Sequence, residues 1–482
     1  MADVILFRPK FFNADVRPLP APWGLLYVGS SLTSKGYSVK IIDELLHTDW
    51  RKQVLEEIEK KPTFFGVTSM TGRQIKHGLE FSGFVKKYSN IPVVWGGIHP
   101  SLFPEQTLRH ETIDYIVKGE GEETVIELLD HLKNKSKVEK IRGLGYKKNN
   151  QIFLNQNRPF PQLDDLPDIN FSLIDVNRYT GKRFGSRRSF ELCTSRGCPH
   201  RCAFCYNVHY YRCTWRTKSI DRIFKALHTL IDTYDIDGLT WREDNFFVDK
   251  KRVQKIADRI VKENISIKWH ADCRIDYVYF YENSFMELLK KSGCHTLTFG
   301  AESGSNTILE SINKGITREQ ILEVKKKMSK HHVYQNYHFM MGLPDETEED
   351  INKTIDLMYL LMKNNPYFGE ICGPSLYTPY PGTALYEKSL AKGFEPPQSL
   401  EGWINMDWYA LNLPWIQDKR RKTVEDIAWN VLGMRQKKLR FYFKWKFFLL
   451  AKYHLLIPCF ERNIYLRLKK GKDKGGDLKP GS

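Results

Sequence analysis

The first 192 residues hold no cysteine; all nine lie between positions 193 and 459, and five of them (193, 198, 202, 205, 213) fall within 21 residues. An odd number so distributed excludes a disulfide framework and points to metal-ligating thiols in a reducing compartment. No stretch reaches the roughly 18 uninterrupted apolar residues of a spanning helix, and the start Met-Ala-Asp-Val-Ile-Leu-Phe lacks a basic region before an apolar core. These absences set the expectation of a cytoplasmic protein. Acidic residues are missing from one region: residues 431–470 carry eleven Lys or Arg and the single acid Glu461, within a chain of formal net charge +17. Such a concentration suits an acidic partner, a membrane surface or nucleic acid. No internal repeat occurs, and low complexity is confined to the Lys/Gly-rich tail at 469–482. With 41% hydrophobic and 27% charged residues, the composition is that of a globular protein of two to four domains.

Residues 3–133 alternate short β-branched or aromatic runs (Val4–Phe7, Ser38–Ile42, Phe64–Thr68, Val93–Trp95, Tyr115–Val117) with helical patterns from about Gly24, Trp50, Gln74, Pro104 and Glu122. That alternation predicts a parallel α/β sheet, whose ligands sit outside the carboxyl ends of its strands. Those ends read Arg8-Pro9, Asp43-Glu44, Ser69-Met70-Thr71-Gly72, Gly96-Gly97-Ile98-His99 and Gly119-Glu120-Gly121-Glu122. Glycine lets backbone approach a bulky ligand, although tight strand-to-helix turns explain any one loop as well. Residues 136–187 read as a linker, and from 188 to 395 a second series of six strands predicts a partial (β/α)6 TIM barrel. Residues 396–482 read as a helical C-terminal extension.

After the strand expected at Phe190–Thr194, Cys198, Cys202 and Cys205 stand in C-x3-C-x2-C spacing. Three thiolates on one loop can hold three corners of a [4Fe–4S] cluster and leave the fourth iron open. A structural zinc site is the alternative, with Cys193, His200 or Cys213 as fourth ligand. This loop, opening a six-strand βα series, resembles the radical S-adenosylmethionine (SAM) superfamily, whose open iron chelates the SAM amino and carboxylate groups. By that resemblance Phe204 matches an aromatic near adenine, and Glu243-Asp244-Asn245 the loop that binds the SAM amino group. Glu302 and Ser303, with Lys314 downstream, match the segment near the SAM carboxylate and ribose, and Gly342 the segment closing the fifth strand. Arg274 stands where it would pair with a SAM or substrate carboxylate.

An α/β domain directly before such a barrel resembles the cobalamin-binding subgroup of radical SAM enzymes, which includes methyltransferases and BchE-like cyclases. The resemblance assigns cobalamin contacts to Trp23, Ser69, Met70, Gly72, Gly96, Gly97, His99, Gly119, Glu120 and Gly121. The Asp-x-His-x-x-Gly that supplies a lower cobalt ligand elsewhere in the B12 family is absent, and Arg8-Pro9-Lys10 stands in its place; neither His47 nor His99 is assigned as a ligand. The resemblance implies cleavage of SAM to a 5′-deoxyadenosyl radical and C-methylation of an unactivated carbon, and the C-terminal segment described below suggests a hydrophobic small molecule, a lipid or tetrapyrrole, as substrate. Oxidative cyclisation without net methylation is one alternative, and a non-catalytic corrinoid and Fe–S binding protein another. No catalytic residue is singled out. A flavodoxin- or ferredoxin-type electron donor is implied. The aromatic, basic segment at 441–453, continued at 465–470, suggests peripheral membrane contact or packing on the barrel. RNA methylthiotransferases carry additional N-terminal cluster cysteines, so nucleic acid is set aside.

Overall fold

The computed structural model describes residues 2–11, 18–134, 137–406, 413–416, 418–433 and 440–453. Cys459 and the basic residues beyond 453 lie outside them. The first sheet contains β1 (Val4–Arg8), β2 (Val39–Asp43), β3 (Phe64–Thr68), β4 (Val93–Gly96), β5 (Tyr115–Val117), β6 (Leu144–Lys148) and β7 (Gln151–Leu154), in the order 2-1-3-4-5-6-7. The five parallel strands stand within a residue or two of their expected positions. The strand order reverses between β1 and β3, and the crevice outside the carboxyl ends there is where such sheets bind ligands.

One departure from the sequence reading concerns residues 144–154, expected within the linker. They form β6 and β7, an antiparallel hairpin that extends the first sheet beside β5. Asn149 and Asn150 turn the hairpin, with φ of +52° and +60°, the left-handed pair that a two-residue type I′ loop requires and asparagine tolerates.

The second series contains β8 (Gly181–Arg183), β9 (Ser186–Leu192), the small antiparallel pair β10 (Ser195–Gly197) and β11 (Trp215–Thr217), then β12 (Gly238–Trp241), β13 (Lys268–Cys273), β14 (Cys294–Glu302), β15 (Tyr334–Met341) and β16 (Phe368–Leu376). Its large sheet runs 16-15-14-13-12-9-8. All neighbours are parallel except β8 on β9, and no pairing joins β16 back to β8 among the described residues. This is the expected partial six-stranded barrel. The Asp418–Gly433 helix packs against β16 on the open side, and the Arg440–Tyr453 helix buries Phe443, Phe447 and Leu450 against the Glu348–Met362 helix. No described helix is long and apolar enough to cross a membrane.

One continuous apolar core runs from Val4 and Leu6 of the first sheet through Phe190 and Leu192 of β9 into the barrel. Buried polar ties cross the same boundary: Tyr27 OH donates to the Cys193 carbonyl at 2.7 Å, and Tyr179 OH to Asp43 Oδ2 at 2.8 Å.

Candidate functional site

β10 leads directly into the cysteine loop, and its last residue fixes where the loop begins. Gly197 has φ of +84°, and a Cβ there would stand 2.2 Å from the Thr214 carbonyl oxygen, so only glycine fits beside β11. Its N–H donates to Asp244 Oδ2 at 2.8 Å while Asn207 Nδ2 donates to Asp244 Oδ1 at 2.9 Å, so one carboxylate ties both ends of the loop. Glu243 braces the residues just upstream: it accepts from Thr194 N at 3.0 Å and from the Thr194 and Ser195 hydroxyls, with Arg252 Nη2 at 3.3 Å. The middle of the loop is held by Ala203, whose N–H donates to the Ile312 carbonyl and whose carbonyl accepts from Leu385 N.

The three thiols are near enough to act on one another electrostatically, and burial is the main cause that pushes Cys198 up and Cys205 up to about 12. Ligation to iron would replace those protons. Two donors wait beside the sulfurs, Asn245 Nδ2 at 3.5 Å from Cys198 Sγ and Arg274 Nη1 at 3.5 Å from Cys202 Sγ. The candidate fourth ligands of a zinc site are engaged elsewhere. His200 Nε2 lies 2.6 Å from Tyr277 OH, and the Cys193 and Cys213 thiols face the Ser195 and His200 carbonyls. Among the described residues no three His, Cys, Asp or Glu side chains converge on a single ion position. A cubane spreads its thiolates over separate irons, whereas zinc gathers all its ligands on one point, so this donor set fits a cluster.

Around the loop stand several residues of the expected SAM site. Lys314 Nζ pairs with Glu302 Oε1 at 2.7 Å and lies 5.7 Å from the Phe204 ring. Arg274 donates to the Lys314 carbonyl at 2.5 Å and to Asp276. Phe204, Asn245, Arg274 and Glu302 thus belong to one collar about the cysteines. Ser303 and Gly342 shape neighbouring turns instead. Ser303 Oγ bonds Thr354 Oγ1 and Ser305 N, and Gly342, at φ +82°, accepts from Trp415 Nε1 at 3.0 Å.

A cleft of about 510 Å³ separates the first sheet's carboxyl ends from the mouth of the barrel. Trp23, Gly96, Gly97, Glu120, Gly121 and the open Gly119 line it, as does Asp244. A Cβ at Gly119 would meet nothing within 4 Å, so its backbone is bare toward this space, and the buried Trp23 Nε1 has no partner among the described residues. Bare backbone and an orphaned donor suit a broad, amide-fringed ligand such as a corrinoid. Ser69, Met70, Gly72 and His99 are not part of the lining. His99 is buried beneath it, its Nδ1 3.0 Å from Thr71 Oγ1 and its ring against Phe103 and Trp403, and burial pushes its pKa down to about 3. No histidine lines the cleft among the described residues.

Sequence reading overlooked the clamp that closes the back of this cleft. Arg196 of β10 reaches Glu120 at 2.9 Å and Glu122 at 2.5 Å, while Arg216 of β11 also binds Glu120. All four side chains are almost fully buried. The only local trace was the doubled glutamate of Gly119-Glu120-Gly121-Glu122, which gives the acids but not their distant arginine partners. Arg242, Asp272 and Tyr206 also line the cleft and were not anticipated.

Comparison with known proteins finds relatives of both domains. The Radical SAM superfamily profile matches residues 192–358 and the B12 binding domain profile residues 9–129. An uncharacterized methyltransferase of Pyrococcus horikoshii is 34% identical over 376 residues, covering 77% of this chain and 78% of the relative. An anaerobic magnesium-protoporphyrin IX monomethyl ester cyclase of Synechocystis is 24% identical, covering 65% of this chain and 62% of the relative. The fold matches that of the radical SAM methyltransferase TsrM of Kitasatospora setae, solved with cobalamin and a [4Fe–4S] cluster, at a TM-score of 0.66 and 17% identity over 84% of this chain and 85% of that one. The chain therefore belongs to the radical SAM enzymes that carry an N-terminal B12-binding domain, and its cofactors are a [4Fe–4S] cluster, SAM and cobalamin.

Proposed function

We propose that this enzyme transfers a methyl group to an unactivated carbon of a small molecule, with residues 1–135 as the cobalamin module and 188–395 as the radical module. One observation carries the reading: Asp244, which ties the cysteine loop, also lines the cleft beneath the glycine-rich strand ends, so a single carboxylate links the loop of the first site to the wall of the second. When bound, the cofactors supply a hydrogen-abstracting radical and a methyl donor. Everything else falls to the protein. Cys198, Cys202 and Cys205 would hold the cluster, and Phe204, Asn245, Arg274 and Glu302 would orient SAM. The glycine ends and Trp23 would seat the corrinoid, and the buried Glu120–Arg196 clamp would limit the entry of water that competes for reactive intermediates at the back of the cleft. The first electron would come from a flavodoxin- or ferredoxin-type donor.

The hydrophobic substrate expected from the C-terminal segment has less support than a polar one, because the barrel interior beside this space is lined by Thr240, His270, Asp272, Asn336 and Glu370. Peripheral membrane contact remains a proposal resting on the exposed Phe441 and Trp445.

The test is anaerobic reconstitution with iron, sulfide and hydroxocobalamin, followed by reduction with SAM whose methyl group is isotopically labelled. About four irons and one cobalt per chain, 5′-deoxyadenosine and label in a new carbon–methyl bond are the expected result. Each of Cys198→Ala, Cys202→Ala and Cys205→Ala should abolish SAM cleavage. A product that has lost hydrogen without gaining label would favour oxidative cyclisation, and absence of 5′-deoxyadenosine would favour a binding protein.

A further inference from the structure

Parallel strands covered on both faces normally read as unbroken apolar runs. In this barrel every second residue is polar. Thr240 and Arg242 alternate with Leu239 and Trp241; His270 and Asp272 alternate with Trp269, Ala271 and Cys273; Thr298, Asn336, His338, Glu370 and Cys372 continue the pattern across β14, β15 and β16. Strand register sets Thr240 beside His270 and Thr298 beside Asn336. The result is a polar chamber of about 390 Å³ inside the barrel, at the small end of the range for small-molecule pockets, roughly 300–1,000 Å³. Phe184 stacks on the His270 ring at the β8–β9 hairpin, with centroids 4.0 Å apart.

Part of the lining satisfies itself. His270 Nε2 lies 2.7 Å from Thr298 Oγ1, Asn336 Nδ2 donates to the same oxygen, and Glu370 N donates to Asn336 Oδ1. Four groups are left over. Thr240 Oγ1 and His270 Nδ1 are buried without partners among the described residues. Arg242 and Asp272 face both this chamber and the interdomain cleft, so they mark the passage between them. Arg242 exposes its side chain to that space while protein surrounds it, and the nearby acids Glu191 and Asp272 act on it. Among the described residues neither side chain makes a hydrogen bond or an ion pair within 4.0 Å.

A guanidinium and a carboxylate that both face one passage, neither engaged in a direct ion pair, can each take an opposite charge from a ligand. A single ligand answers both only if it carries an anion and a cation a short distance apart. We propose that the chamber is the substrate site and that the substrate bears an aminocarboxylate, its carboxylate on Arg242 and its ammonium on Asp272, with a further polar group reaching Thr240 and His270. This rests on the methyltransferase reading above, for it places the substrate between the cysteine loop and the cobalamin cleft. An apolar substrate would leave all four groups unsatisfied.

Equilibrium dialysis tests it on the reconstituted holoenzyme, unreduced so that SAM does not turn over, with saturating SAM present to fill its own site. The probe is the mixture of the twenty protein amino acids, with a metalloporphyrin ester and a prenyl alcohol in parallel. One or a few amino acids should be retained, with affinity at least about tenfold weaker in Arg242→Gln and in Asp272→Asn, the size of a lost charge-assisted bond. Iron and cobalt content equal to the parent verifies each variant, and Thr240→Val provides a milder third. Retention of no amino acid, retention unaffected by both charge variants, or retention of the porphyrin or prenyl probe instead would overturn the assignment. Amino-acid binding that disappears when SAM is added would overturn it too, by giving the pair to SAM. Holoenzyme that cleaves SAM but retains no amino acid refutes this inference alone, whereas holoenzyme that neither holds iron nor cleaves SAM refutes the functional reading.

Discussion

Arg196 shows how one side chain can serve stability and site geometry at once. Its guanidinium lies over the Tyr27 ring at 4.0 Å and binds Glu120 and Glu122, joining the glycine-rich loop after β5 to the strand that precedes the cysteines. Removing one partner of a buried charge network strands the rest, at a cost of about 3–5 kcal/mol. Arg196→Met should therefore lower folding stability by about that amount, read as a lower midpoint in urea, and should weaken cobalamin retention on gel filtration. A shift under about 1 kcal/mol would mean that Arg216 alone neutralises Glu120. The three cysteines were legible from spacing because cluster ligation confines them to one loop. Arg196 and Arg216 were not, because each clamps residues 74 to 96 positions away and nothing local marks it.

At the scale of elements, the Arg440–Tyr453 helix divides the two readings of the basic C-terminal segment. One face is packed: Phe443, Lys446 and Phe447 are buried. The opposite side exposes Phe441 at 87% and Trp445 at 48%, beside Lys444. A flank of aromatics and lysines on an otherwise docked helix suits the interface of an anionic bilayer. The full-length protein should co-sediment with phosphatidylserine vesicles at low salt and less at high salt, and Phe441→Ser with Trp445→Ser should remove the binding without altering iron content. Equal recovery in the supernatant for both proteins would dismiss membrane contact. Elements of regular period were readable from sequence: the five parallel strands of the first sheet stand where β-branched and aromatic runs place them. The β6–β7 hairpin was missed because its signal lies in the Asn149-Asn150 turn and not in its lysine-rich strands. The polar chamber was missed for the opposite reason: its residues alternate within strands already recognised by their apolar partners, and only the barrel brings them together.

Across the whole molecule, burial lowers several histidines and so ties stability to pH; His99 and His270, one in each half, are the most deeply buried, and His200, His295 and His331 are lowered in the same direction. Burial pushes His99 down to about 3 and His270 down to about 4. His99 has burial as its sole cause; around His270 the charges of Asp272, Arg183 and Arg242 act as smaller influences. Each imidazole is neutral in the folded state, whereas in the unfolded chain it titrates near its ordinary 6.5. Between those values the unfolded state binds more protons, so stability is complete above pH 6.5 and falls as pH drops toward 4 and 3. Each unit inside that window costs about 1.4 kcal/mol per histidine. Carboxylates held low by their partners, such as Asp350 and Glu44, begin to protonate only at more acid pH, which leaves the range from 6.5 to about 5 to the histidines. The melting temperature of the holoprotein should therefore be lower at pH 5.5 than at 7.5, and His99→Gln and His270→Gln should each reduce that difference. Comparing differences between variant and parent cancels the acid lability of the cluster itself. A pH dependence unchanged in both variants would mean that water reaches these rings and that the two buried sites are more open than their packing indicates.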